Sequence, residues 1–179
     1  MDIVYRVDDR DQIVFVNDEW DRFALANSGA AVTSSFVLHR PLWDFIADIA
    51  TQELYRQVLR RSREGHSLRF TFRCDSPDCR RLLEMNVERS ESNSVEFRTQ
   101  TVSLEPRPPV VFPDSASAAT EELLRACGWC KKVHVGGAWV EAEEAIVRLG
   151  LFLRQRLTGL THGICEACYD QMTKSLLDS

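Results

Sequence analysis

The sequence predicts an α+β fold: an antiparallel five-stranded sheet with helices on one face, followed by a small C-terminal helix and hairpin module held by four cysteines. Three observations carry that expectation. Between residues 1 and 106, β-rich runs alternate apolar and polar residues with a period of two, the pattern of strands with one wet and one buried face. Helical segments stand between the second and third of these runs, so helices must cover the apolar face of the sheet. Two Cys-x-x-Cys pairs, Cys127/Cys130 and Cys165/Cys168, stand in the last third of the chain.

IVYRV (3–7) and QIVFVN (12–17) read as strands joined by the acidic turn DDRD. Asn17 supplies an N-cap for DEWDRFALAN, in which Trp20, Phe23 and Ala24 share an apolar face. Pro41 opens a second helix with Leu42, Phe45, Ile46 and Ile49 inward. Thr51 caps a third, TQELYRQVLRRSRE, which Gly65 ends. Three strands follow in a meander. SLRFTFRC turns Leu68, Phe70, Phe72 and Cys74 inward, RLLEMNVER turns Leu83, Met85 and Val87 inward, and SVEFRTQTVSL does so with Val95, Phe97 and Thr99.

The proline-rich stretch after residue 106 has no period and reads as a linker over 107–119. The second unit, 120–179, reads as a short helix TEELLRA, a hairpin KKVHVGGAWVEA turning at Gly136–Gly137, and an amphipathic helix EAEEAIVRLGLFLRQRL with stripe Ile146, Leu149 and Leu153. A final helix in CEACYDQMTKSLL presents Tyr169, Met172 and Leu176.

Composition narrows the function classes. The N-terminal MDIVYRVDDR lacks a basic segment before an apolar run, and no apolar stretch approaches the roughly 20 residues of a membrane span, so a cytoplasmic protein without membrane attachment is expected. The net charge is −5, with 15 basic and 18 acidic residues up to position 110 and 7 and 9 beyond it. Neither half has the basic excess that phosphate-backbone binding needs, so nucleic acid is not an expected partner. The arginines at 60, 61 and 63 read as a solvated helix face.

A unit of this size buries little apolar surface and gains from a staple. Each Cys-x-x-Cys turn lets two sulfurs reach one ion at about 2.3 Å, and two turns complete a tetrahedron. Cys127, Cys130, Cys165 and Cys168 are therefore expected to hold a structural zinc, with iron as the chemical rival. Four thiolates around a divalent ion leave about −2 at the site, which Lys131, and Lys132 after it, can offset. His162 is expected to serve as a hydrogen-bond donor or packing residue beside the ligands.

The strand and helix order, with IVFVNDEWDRFA, RPLWDFI and RCDSPDCRR, resembles the PAS fold of one branch of bacterial sensory proteins across residues 1–106. That resemblance implies a five-stranded sheet cupping a small-molecule pocket, with Trp20, Phe23, Phe45, Phe72 and Met85 facing it. All five serve equally well as core. The pattern CGWCKK…GGAW…THGICEAC resembles an element that follows sensory domains in bacterial signalling proteins, with the four cysteines in the ligand positions and Trp129, Trp139 and His162 in accompanying ones. Glu166 stands where proline is usual. Trp129 and Trp139 are read as the miniature core around the metal.

Other sites carry weaker signals. Cys74 and Cys79 flank the DSPD turn and form a candidate redox pair, against the reading of Cys74 as a buried thiol. His39 and His66 raise haem ligation through one histidine, but neither stands in a partner motif. No nucleophile elbow, P-loop or dinucleotide turn is present, and acidic pairs such as Glu143–Glu144 read as solvated, so no catalytic activity is expected. The expected function is bacterial signal transduction. It comprises sensing of a small ligand of unknown identity or of a redox change, and docking to a kinase or regulator, in a protein able to form a homodimer. The alternative is a thiol-based redox sensor acting through zinc release or the cysteine pairs.

Overall fold

Period-two alternation forces the first strands into a two-sided sheet. In the computed structural model, which describes residues 2–27, 29–109, 123–150 and 159–177, β1 (Ile3–Val7) buries Val4, Tyr5 and Val7 and pairs antiparallel with β2 (Ile13–Val16). Helix α1 (Asp18–Ala26) starts at Asn17, whose side-chain oxygen accepts from the Trp20 N–H at 3.2 Å. One helical turn, α2 (Ser34–Val37), follows, and the Asp21 carboxylate caps it by accepting from the Ser34 N–H and hydroxyl at 2.6 Å each.

The segment after Pro41 departs from expectation. Leu42–Phe45 make a single 3₁₀ turn rather than a helix. The long helix α3 (Ile49–Arg63) then begins two residues before Thr51, and Asp48 is its cap, accepting from both the N–H and the hydroxyl of Thr51 at 2.8 Å. Carboxylate acceptors are stronger caps than hydroxyls because the bond is charge-assisted. Ile49, expected to face inward, is 80% exposed in the first turn. Gly65 ends α3 with a φ of 100°, a left-handed position that suits glycine. Arg63 is not wholly solvated, since its guanidinium bonds the Asp11 carboxylate at 2.7 Å.

Strands β3 (Leu68–Arg73), β4 (Cys79–Arg89) and β5 (Val95–Pro106) complete an antiparallel sheet of order β2-β1-β5-β4-β3. The α+β architecture read from the sequence, a five-stranded antiparallel sheet with helices on one face, is the one observed. Its core includes Leu54, Val58 and Leu59 of α3 against Leu68, Phe70, Met85, Val87 and Phe97 of the sheet. Tyr5 stacks on Phe97 with ring centroids 4.5 Å apart.

The C-terminal module is more strand-rich than its sequence suggests. Residues 123–126, read as the end of the helix TEELLRA, belong to a strand, β6 (Leu123–Cys127), and residues 110–122, which hold most of the expected linker, lie outside the described residues. β7 (Val133–Val135) and β8 (Ala138–Val140) form the expected hairpin, with Gly136 and Gly137 at φ of 58° and 84°. Helix α4 (Ala142–Leu149) stops at Gly150, which takes the left-handed conformation and donates to the carbonyls of Ile146 and Val147. A helix read through to residue 157 is thus ended at its glycine, and Leu153 falls outside the described residues. β9 (Gly159–Gly163), unexpected in the sequence, pairs parallel with β6 and closes a sheet of order β8-β7-β6-β9. Helix α5 (Glu166–Leu177) buries Met172 and Leu176 and leaves Tyr169 exposed.

Candidate metal centre and adjoining cavity

The two knuckles are built from strand ends and a helix start. Cys127 closes β6, and the chain turns back so tightly that the Lys131 N–H reaches the Cys127 carbonyl at 3.0 Å and the Cys127 N–H reaches that of Lys132 at 2.8 Å. Lys131 takes a φ of 62° to make this turn, and its ammonium bonds the Gly128 carbonyl at 2.7 Å. Cys165 and Cys168 stand at the start of α5, where the helix dipole favours thiolates. The Gly128 N–H ties the knuckles together by donating to the Gly163 carbonyl at 2.8 Å. A Cβ at Gly163 would lie 3.0 Å from Arg125 Nε, so a side chain there would have to displace that guanidinium.

The sulfurs of Cys127, Cys130, Cys165 and Cys168 all lie within 4.8 Å of one another. Tetrahedral bonds of about 2.3 Å require sulfur-to-sulfur edges of about 3.8 Å, and Cys130 and Cys165 stand 3.8 Å apart. Cys127 Sγ also accepts the backbone N–H groups of Cys130 at 3.5 Å and Cys165 at 3.4 Å. Hydrogen bonds from Cys130 and Cys168 hold the Cys127 thiol far below the usual thiol range. The same sharing with Cys127 pushes Cys130 up to about 11 and Cys168 far above it. A divalent ion among them would favour the thiolate form of the sulfurs that bind it. Donor set, spacing and burial fit a four-thiolate metal.

Of the residues expected beside the ligands, Lys131 is in the knuckle turn itself. His162 sits on β9 with its side chain exposed, opposite Ala126. Trp129 corrects the sequence reading. It is 8% exposed and joins the main core, with its ring 5.8 Å from Phe70 and 6.0 Å from Tyr55. Trp139, half-buried, packs edge-on against His134 and against the rim of the same core, which holds Cys127, Cys165 and Cys168. The metal module and the sheet domain therefore share one core, in which Cys127, Cys165, Cys168 and Met172 join the residues under the sheet.

Charge reinforces that junction. Asp75, with a side chain only 6% exposed, is bonded by Arg73 and lies 3.4 Å from Arg107. Arg73 reaches on to Glu141 at 2.8 Å, while Arg80 and Arg107 meet Glu143 at 3.0 and 3.3 Å. Burial alone would raise the Glu143 carboxyl, but hydrogen bonding to its own backbone and the two guanidiniums hold it below its ordinary value. Glu143, read as solvated, is thus a bridge, and Arg107, placed in the linker, is one of its anchors. Their sequence neighbours gave no sign of partners so distant along the chain.

Between sheet and helices lies a cavity of about 430 Å³. Trp20, Phe23, Phe45, Phe72 and Met85, the five expected pocket residues, all line it. Tyr5, Tyr55, Asn27, Cys74 and Thr99 also contribute to its wall beyond the five expected, and of these Cys74 and Thr99 stand on strand faces read as inward. The Tyr5 and Tyr55 hydroxyls bond to each other. Burial, first of all, raises both, Tyr55 to about 12. Cys74 lines this wall with its thiol raised by burial, while its backbone N–H bonds Arg81 and not the Cys79 position. Cys74 and Cys79 are both free thiols, and the structure does not bring them into cross-strand register. Neither His39 nor His66 lines the cavity.

Comparisons with known proteins add little to this geometry. No family model matches the chain, and no curated protein matches it. Among solved structures, the chain is similar to a sensory box sensor histidine kinase from Vibrio cholerae, with a TM-score of 0.41 and 13% sequence identity over 59% of this chain and 84% of that one. Among the described residues no helix is long and apolar enough to cross a membrane.

Proposed function

We propose that this chain is a non-enzymatic bacterial signal-transduction protein. Its PAS-like domain holds a small molecule, and its C-terminal module, stapled by zinc on Cys127, Cys130, Cys165 and Cys168, passes the state of that domain to a protein partner such as a kinase or regulator. The observation that carries this reading is the cavity. Its size is that of a small-ligand site, and its tyrosine hydroxyls and its one amide side chain are already engaged by partners. Tyr5 and Tyr55 pair by their hydroxyls, and the Asn27 side chain is held between Arg81 and the Phe23 carbonyl. Tyr55 and Phe72 touch the cavity on one side, and Tyr55 meets Trp129 on the other, so occupancy can alter how the module packs.

Native mass spectrometry of protein purified without added metal, set against its denatured mass, tests the reading. One zinc per chain, with a further adduct that disappears in the cavity-filling variant Ala24→Phe, is the expected result. Absence of an adduct, together with no thermal shift across a panel of apolar metabolites, would sink the ligand-sensing reading.

A second reading, thiol-based redox sensing through zinc release, draws on Cys130, the part-buried thiol of the four and the one 3.8 Å from Cys165. It requires that a low excess of peroxide release zinc and that added thiol reverse the release. An inert site removes it.

A further inference from the structure

The cavity has a neighbour. A hollow of about 370 Å³ adjoins it, and Phe45, Ile46, Tyr55, Phe72 and Cys74 line both. The far wall of this second hollow is the metal module itself, through Gly128, Trp129, Lys131, His162 and Gly163. One hollow is thus walled almost wholly by the sheet domain, and the other is closed by the turn that carries two of the four thiols.

Their chemistry differs. The inner cavity is ringed by aromatic and aliphatic side chains. The outer one adds Asp48, Thr51, Arg73, Lys131 and His162. Most of these charges are already matched within the fold. Asp48 takes both Thr51 donors, and Arg73 is bonded by Asp75 and Glu141. Lys131 differs, because its bonded acceptor is the neutral Gly128 carbonyl and no carboxylate pairs with it among the described residues. An ammonium has three donors, so two remain.

We propose that the two hollows form one site for an amphiphile whose ring-bearing apolar body fills the inner cavity and whose single anionic group, a carboxylate or sulfonate, is held by Lys131 at the knuckle. This rests on the reading of the inner cavity as a ligand site, and it adds the class of ligand and its orientation. With a divalent metal bound, the four thiolates repel an anion at long range. The anion is held by direct charge-assisted hydrogen bonds, about twice as strong as neutral ones, while Lys132 remains to offset the thiolates.

Two fluorescent probes separate the parts of the claim: 8-anilinonaphthalene-1-sulfonate, and N-phenyl-1-naphthylamine, which has the same rings without the sulfonate. Both are titrated into the metal-loaded protein, into Lys131→Gln and into Ala24→Phe. We expect one-to-one binding of both, abolished by Ala24→Phe. Lys131→Gln should weaken the sulfonate about tenfold, near 1.4 kcal/mol, and leave the neutral probe unchanged, which also shows that the variant is folded. An unchanged ratio of the two affinities in Lys131→Gln, or binding of the neutral probe alone, overturns the composite site and leaves the inner cavity standing. Binding of neither probe, or binding indifferent to Ala24→Phe, overturns the composite site and the cavity reading together.

Discussion

The backbone N–H of Arg73, the last residue of β3, donates to the carbonyl of Trp129 at 2.7 Å. This bond joins the edge strand of the sheet domain to the first metal knuckle. It places the Trp129 ring over Phe70 and Tyr55, and it fixes the wall that the cavity and its neighbouring hollow share.

Replacing Trp129 by alanine removes a large side chain that is 8% exposed. Truncations of this kind cost about 3 kcal/mol or more. Urea denaturation should show that loss, and hydrogen exchange should show the Arg73 amide losing protection before the amides of β5. An unaltered midpoint would mean that the tryptophan is not part of the shared core.

Asp75 is the anion on which the Arg73 and Arg107 side chains converge, and its carboxylate also accepts the Arg81 N–H at 3.2 Å. Asp75→Ala should destabilise the protein by about 3 kcal/mol, the lower end for breaking a buried ion pair, because Glu141 and Glu143 still face the two guanidiniums. Thermal melts of Asp75→Ala and Asp75→Asn compared with the parent check this, with the asparagine variant falling between the two.

Chelation is expected to act locally first. With the proposed metal withdrawn, the amides of β6 and β9 should exchange quickly while those of Phe97 and Val87, deep in the five-stranded sheet, stay slow. Cys127→Ser should abolish metal binding in native mass spectra, because Cys127 is a buried member of the thiol cluster whose sulfur also receives two backbone N–H groups. Retention of one zinc in that variant would show that three cysteines and another group suffice.

The buried tyrosines set an alkaline limit. Their ionisation is raised in the folded protein above the ordinary value of 10.0, to about 12 for Tyr55, by burial. A group whose folded value is raised contributes stability that is intact below the unfolded value and is lost as pH rises through the folded one. Stability should therefore decline from about pH 10 toward pH 12. Tyr5→Phe should soften the decline, and in a Tyr169→Phe background, which removes the exposed ring, tyrosinate absorbance should rise together with unfolding instead of ahead of it.

Much of the fold was legible because its signals are local. Leu68, Phe70 and Phe72 alternate cleanly; Asn17 and Gly65 bound helices by capping; Gly136–Gly137 supplies the left-handed pair that a two-residue hairpin needs. The thiol cluster was legible because Cys-x-x-Cys spacing is itself geometric. What stayed hidden depends on distant partners. Leu123–Cys127 is too short to show a period, and it becomes a strand only by pairing with Gly159–Gly163, a run that reads as loop. Trp129 stands next to Cys130, so proximity in sequence ties it to the thiol cluster, whereas in space it also packs on Phe70 and Tyr55 of the sheet domain. Asp48 and Thr51 are both capping residues three positions apart, and the charged acceptor of Asp48 is the one that starts the helix.

The parallel pairing of β6 with β9 has a consequence for synthesis. Cys127 and Cys130 leave the ribosome well before Cys165 and Cys168, so at that moment half a ligand set exists and β6 lacks its neighbour. Domains generally fold in order of emergence, and the sheet strands from β1 to β5 are by then already translated. The nascent knuckle can thus settle onto a finished surface, with the Arg73 amide and the Tyr55–Phe70 recess waiting for Trp129, before any ion is fully enclosed. The sheet domain acts as the mould in which the metal site is cast.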